Sequence, residues 1–157
     1  MIVRRPAVDE REIVDEATIE VGGGLVGDNW KARGSRSTED GGPDPREQVT
    51  VTSWRAICLI GGTPERCALA GDQLYVDLDL SHENLPPGTR LTVGSVVLEV
   101  SGKPHRGCSK FKERFGVEAL RFVNVGEGGK LRLRGINTTV VEPGTVHTGD
   151  SVRVERP

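Results

Sequence analysis

The chain has 157 residues, the length of one domain, and its 21 glycines, nine prolines and 35% hydrophobic content suit many short strands better than a helix bundle. A formal net charge of -2 and a pI near 6.0 argue against a nucleic-acid partner, which calls for a strongly basic surface. No apolar stretch reaches the length of a membrane helix, and residues 1–16 are charged and lack the apolar core of a secretory signal. No membrane contact is therefore expected, and the cytoplasm is the expected location.

In chain order, residues 13–21 carry a loose apolar pattern that runs into Gly22-Gly23-Gly24. Residues 31–47 are polar, with Gly41-Gly42-Pro43 and Pro45, and read as a long surface loop that is either passive or a lid. Val49 to Val51 is a short strand, and Ser53 stands where it can cap a helical turn through Cys58. Thr63 followed by Pro64 starts another short helix, which Gly71 ends. Leu74 to Leu80 partly alternates, as a half-buried strand does. After Pro86-Pro87-Gly88, a hairpin is predicted from Arg90–Val93 and Val96–Val100, turned at Gly94-Ser95. Phe111, Phe115, Ala119 and Phe122 lie three or four residues apart and predict an amphipathic helix over 109–123, kinked at Gly116. Leu131–Arg134, Ile136–Val141 and Ser151–Val154 read as further strands. Pro87-Gly88-Thr89 leading to Gly94-Ser95 is echoed by Pro143-Gly144-Thr145 leading to Gly149-Asp150. Two such turn-and-strand units suit a closed β-barrel, in which no sheet edge is left exposed. The expected fold is mostly β with a few short helices, a closed barrel in a single domain over residues 1–157.

Three cysteines are present, with no CxxC pair and no histidine spacing of a zinc site. Cys58 and Cys67 lie in apolar surroundings and read as packing residues. Cys108 differs. It sits in Lys103-Pro104-His105-Arg106-Gly107-Cys108-Ser109-Lys110, between a strand and a helix start, where basic neighbours favour the thiolate. His105 is a candidate base or anion contact for it. Lys103, Arg106, Lys110, Lys112 and Arg114, with Arg121, Arg132 and Arg134, form a basic block suited to a small anion, although a solvated helix face would read the same way. His82 and His147 have no such context, and no nucleotide-binding glycine loop, NAD site or Ser-His-Asp set is visible.

These motifs, in order, resemble the MOSC domain, named for the C-terminal part of molybdenum cofactor sulfurases. The likeness is carried by Gly71-Asp72-Gln73-Leu74, Glu83-Asn84-Leu85-Pro86-Pro87-Gly88, Pro104-His105-Arg106-Gly107-Cys108-Ser109-Lys110-Phe111 and Leu133-Arg134-Gly135-Ile136-Asn137. It runs from about residue 24 to 154 and is nearest to small stand-alone bacterial members. The resemblance implies a barrel-like β fold and places the family cysteine at Cys108. There it would ligate molybdenum in a pterin-bound cofactor or carry sulfur as a persulfide. It also implies a cofactor-contact set of Arg106, Lys110, Arg114, Arg134 and Asn84, with Cys108 and His105 at the chemistry. A molybdenum-dependent oxidoreductase would reduce N-hydroxylated small molecules and need a separate electron-transfer protein. A sulfur transferase would need a sulfur-donor protein. A barrel that only binds or scaffolds is the third alternative, and Cys108→Ser distinguishes it from the other two.

Overall fold

The computed structural model describes residues 1–156. Eight strands form one curled sheet: β1 (Ile2–Arg4), β2 (Glu12–Val14), β5 (Val49–Ser53), β6 (Leu74–Val76), β7 (Arg90–Val93), β8 (Val96–Val100), β9 (Ile136–Glu142) and β11 (Val152–Glu155). Their order is β11-β7-β8-β9-β5-β6-β1-β2. All neighbours are antiparallel except β5 and β6. A second sheet, β10-β3-β4, is built from β3 (Glu16–Glu20), β4 (Gly24–Leu25) and β10 (Gly144–His147).

The expectation of a closed barrel needs correction. The ladder ends on β11 and β2, which do not pair with one another, so the eight-stranded sheet is an open half-barrel. The echo of the two Pro-Gly-Thr units misleads because β10 leaves the ladder and pairs with β3 instead, Gly144 opposite Ile19 through His147 opposite Glu16. The mostly β character holds, and so does the predicted hairpin, whose register runs from Arg90–Glu99 to Val93–Val96.

Strand alternation divides the interior into two cores, because successive side chains point to opposite faces. Ile2, Leu74 and Val76 join Ile19, Leu25, Val51, Leu91, Leu98 and Val146 in the core shared with the small sheet. Val3 and Tyr75, one residue along, face the other way and pack with Ile57, Cys67, Phe111 and Val123 from the helices. These helices are α2 (Trp54–Gly61), α3 (Pro64–Ala68) and α4 (Ser109–Asn124). Two short helices complete the set, α1 (Trp30–Arg33) and α5 (Glu127–Lys130). Thr63 caps α3 as expected, its Oγ1 accepting from the Arg66 amide at 3.3 Å. Ser53 holds the cap position of α2 but makes no side-chain cap bond. The α4 kink falls at Gly116, where φ is +89°.

Two expected strands are shorter or absent. Only Leu74–Val76 of the 74–80 run is strand; beyond it the Asp79 carboxylate accepts from the Ser81 amide and hydroxyl and turns the chain. Residues 131–134 form a turn rather than a strand, with Arg132 at a φ of +50°. The 31–47 segment holds α1 and a 3-10 turn at Pro45–Glu47, and its tip is tied down by Lys103, whose Nζ reaches Ser37 Oγ at 2.6 Å and Asp44 Oδ2 at 2.9 Å. Among the described residues no helix is long and apolar enough to cross a membrane.

Candidate functional site

The eight-stranded sheet hands the chain from β8 to α4 through residues 101–108, and Cys108 is the cap residue of α4, with extended backbone (φ -111°, ψ -173°). Its sulfur makes no cap bond and the residue is exposed, whereas Cys67 is buried and Cys58 half-buried. Asn124, at the far end of α4, fixes this presentation. Its Oδ1 accepts from the Gly107 amide at 2.9 Å and its Nδ2 donates to the Gly107 carbonyl at 3.0 Å. Glycine fits there without displacing a neighbour, since a Cβ on residue 107 would stand 2.8 Å from Leu120 Cδ1. Asn137 on β9 holds the preceding turn by donating to the carbonyls of Lys103 (3.2 Å) and Pro104 (3.3 Å).

Cys108 borders a pocket of about 210 Å³. Its walls come from widely separated stretches: Arg5 after β1, Arg11 before β2, Arg33 at the end of α1, Glu47, Ala70-Gly71 after α3, His105 and Arg106, the first turns of α4, and Arg134 before β9. Of the residues anticipated from sequence, Cys108, His105, Arg106, Lys110, Arg114 and Arg134 all line this pocket. Asn84 does not. It lies in the turn after β6, where its Nδ2 donates to Asp79 O and its Oδ1 accepts from Arg156. Of the other basic residues noted, Arg121 pairs with Glu118, and Lys103 is taken by Asp44 and Glu47.

The pocket gathers six arginines and one lysine against one lining carboxylate, Glu47, which Lys103 already holds. Arg5 is neutralised by Asp28 in a two-pronged pair (2.7 and 2.8 Å) and also donates to Gly71 O at 2.8 Å. Arg134 donates to Asp72 Oδ2 at 2.5 Å and to Ala70 O at 2.9 Å, with its guanidinium 5.1 Å from the centre of the Phe111 ring. Arg114 and Lys110 share Asp9, and Arg114 also donates to Leu69 O. The carbonyls of residues 69–71 thus orient three guanidiniums at once. Arg11, Arg33 and Arg106 have no carboxylate partner among the described residues.

Crowding shows in the acid–base behaviour. Burial first, and then the neighbouring Arg114 and Arg5, lower the Arg11 guanidinium below its usual range. Burial and Arg5 do the same to Arg33. Both remain protonated near neutrality, as arginine does, so the pocket carries uncompensated positive charge. The Nε of Arg11 and the Nε of Arg134 are also buried without any hydrogen-bond partner. Such orphaned donors are costly.

Asp72, fully buried, is the keystone of the inner wall. Burial works to raise its carboxyl, but Arg134 and His105 outweigh that and hold it below the usual carboxylate range. His105 Nε2 stands 2.7 Å from Asp72 Oδ1. Burial, then Arg134, lower the His105 ring, so it is neutral at pH 7 and donates Nε2–H to Asp72. That leaves Nδ1 as the only ring nitrogen free to accept a proton. Gln73 extends the network, its Oε1 accepting from the Thr50 amide (2.8 Å) and hydroxyl (2.6 Å). The Gly71-Asp72-Gln73 motif thereby acquires roles that sequence reading did not assign. Arg5, Arg11 and Arg33 were also missed, and no local signal marks them, since each is one ordinary arginine in a separate stretch.

Fold and pocket together define a mostly β domain that presents an exposed thiol at the rim of an arginine-rich pocket. The family profile described as the MOSC domain matches residues 46–153, more than half of the chain, and the chain belongs to that family. The crystal structure of the YuaD protein from Bacillus subtilis superposes with a TM-score of 0.65 at 19% identity, covering 98% of this chain and 92% of that one. YiiM from Escherichia coli gives a TM-score of 0.63 at 20% identity, covering 99% and 68% respectively. At these identities the likeness speaks for the fold alone. None of the curated proteins matches the chain.

Proposed function

We propose that the pocket binds a molybdenum-pterin cofactor, with Cys108 as the protein's ligand to the metal and the arginines holding the phosphate. The observation that carries this reading is that Arg11 and Arg33 line the pocket Cys108 borders and have no carboxylate partner among the described residues, which leaves positive charge uncompensated beside the thiol. A phosphate is the anion that such planar donors match, and a soft thiolate suits a high-valent molybdenum centre. Among the described residues no group of three or more His, Cys, Asp or Glu is placed to hold a metal ion, so Cys108 would be the protein's contribution to a metal whose other donors come from the pterin.

When bound, such a group supplies two-electron chemistry of the kind that reduces N-hydroxylated compounds. The chain's own residues then bind and position. Arg11 and Arg33 neutralise the anion. Asp72 holds Arg134 and His105 in place, and Asn124 and Gly107 set the direction of Cys108. His105 Nδ1 is available to take or give one proton. Electrons would come from a separate reductant protein. Purification from a host that makes the cofactor, without oxygen, tests the reading. Molybdenum and pterin near one per chain are expected in the wild type and reduced, though still measurable, in Cys108→Ser and Arg11→Gln. Neither metal nor pterin in the wild type would overturn it.

A second reading is supported by one observation, that Cys108 alone of the three thiols is exposed. In it Cys108 carries a persulfide delivered by a sulfur-donor protein. Mass spectrometry would then find one added sulfur atom on the Cys108 peptide, removed by cyanide, with no molybdenum bound.

A further inference from the structure

A second pocket, of about 320 Å³, shares only His105 and Arg106 with the first. Its remaining walls are His82, the start of the β8–α4 connection, the end of α4 and the turn that precedes β9. Its charge is one-sided, for no carboxylate lines it. Lys103 is already neutralised by Asp44 and Glu47. Arg106 and Arg132 have no carboxylate within ion-pairing distance among the described residues. Arg132 donates Nη1 to Leu85 O and Nη2 to His82 Nδ1, each at 2.7 Å. That spends two of the five N–H donors of its guanidinium and leaves three. Burial, then Arg132 itself, lower the His82 ring, so His82 accepts in its neutral form and adds no charge.

The turn that carries Arg132 is strained. Its φ of +50° is one that residues with a Cβ adopt only at a cost. Tight packing holds it there. A Cβ on Gly128 would fall 1.7 Å from Phe122 O and one on Gly129 2.9 Å from Asn124 O, so the turn rests directly on the backbone end of α4. The Gly135 amide closes it by donating to Arg132 O at 2.7 Å. A half-buried cation is thus fixed against a pocket whose other walls include apolar Val123, Ile136 and Pro104.

We propose that this pocket binds a small organic monoanion, a carboxylate on a compact apolar body, with Arg132 and Arg106 holding the carboxylate and Val123, Ile136 and Pro104 covering the body. A planar guanidinium matches a carboxylate two-pronged, and the volume lies at the lower end of small-molecule sites, about 300–1,000 Å³. The assignment goes beyond the cofactor reading and does not depend on chemistry at Cys108.

Benzoate is a suitable probe, titrated into the ¹⁵N-labelled full chain while the Gly129 and Gly135 amides and the Arg132 Nε–H are followed by NMR. The Gly107 and Cys108 amides report on the first pocket. Saturable shifts are expected at 129, 132 and 135, and they persist in Cys108→Ser. Arg132→Gly removes the guanidinium while relieving the left-handed backbone, and should weaken benzoate about tenfold or more; Arg106→Gln, which disturbs no turn, should weaken it in the same direction. Three results would overturn the proposal: no saturable shift at Gly129 and Gly135, equal affinity in both variants and the wild type, or inorganic phosphate saturating the same signals as tightly as benzoate. Failure of molybdenum to bind would leave these outcomes unaffected, so the two readings fail separately.

Discussion

Replacing Asp72 by Asn tests whether the inner wall of the Cys108 pocket stands on one carboxylate. Asp72 is fully buried, and its two oxygens accept from Arg134 (2.5 Å) and His105 (2.7 Å). Asn keeps the shape and one acceptor but removes the charge, leaving Arg134, itself only 7% exposed, with the Ala70 carbonyl and no counter-ion. Removing one partner of a buried pair costs about 3–5 kcal/mol, a large share of the roughly 5–15 kcal/mol that holds a domain folded. Urea unfolding at pH 7 should show that loss for Asp72→Asn. Asp72→Leu combined with Arg134→Met should lose less than the sum of the two single changes. The pH dependence has a definite sign. Because the folded-state pKa of Asp72 is depressed, its contribution is fully present above the unfolded value of about 4 and is withdrawn as pH falls toward the folded value. Asp72→Asn should remove that part of the acid sensitivity. A loss under about 1 kcal/mol, the size expected of an exposed ion pair, would refute the reasoning.

Other expectations follow from the same geometry. Gly107→Ala places a Cβ 2.8 Å from Leu120 Cδ1 and within 3.3 Å of Asn124 and Phe111; it should cost about 1–3 kcal/mol by urea unfolding and change the rate at which Cys108 is alkylated. Iodoacetamide should modify Cys108 first and Cys67 last, since burial pushes the Cys67 thiol up to about 11; rapid Cys67 labelling in the folded chain would contradict the packing described. By NMR, His105 should titrate below about 6.5, and the stability tied to its neutral ring should fall as pH drops through that value. Lys103→Met removes the tie to Ser37 and Asp44, so hydrogen exchange at residues 35–42 should accelerate while β8 stays protected.

What sequence reveals here is what is local. The β7–β8 hairpin alternates buried and exposed residues around Gly94-Ser95, and the Gly116 kink and Thr63 cap likewise depend on neighbours only. Cys108 stands out because its basic neighbours and the strand-to-helix junction are contiguous. Contacts set by distant pairing leave no such trace. β10 pairs with β3 from more than a hundred residues away, so the opening of the barrel could not be read from the echoed turns. Leu131–Arg134 has the apolar spacing of a strand, but Gly128 and Gly129 pack it into a turn against α4. Arg5, Arg11 and Arg33 reach the pocket only through the fold, and Asp72 shows its role only once Arg134 arrives from 62 residues along the chain. Asn84 shows the converse, a motif residue whose hydrogen bonds shape the turn after β6, away from the pocket.

The central claim, that Cys108 ligates a molybdenum centre whose phosphate lies among the arginines, is tested most directly by X-ray absorption at the molybdenum edge on protein purified from a cofactor-producing host. The account predicts a sulfur shell that loses one scatterer in Cys108→Ser, and less bound metal in Arg11→Gln with the sulfur shell of the remainder unchanged. Identical spectra for wild type and Cys108→Ser, or no molybdenum in either, would contradict it.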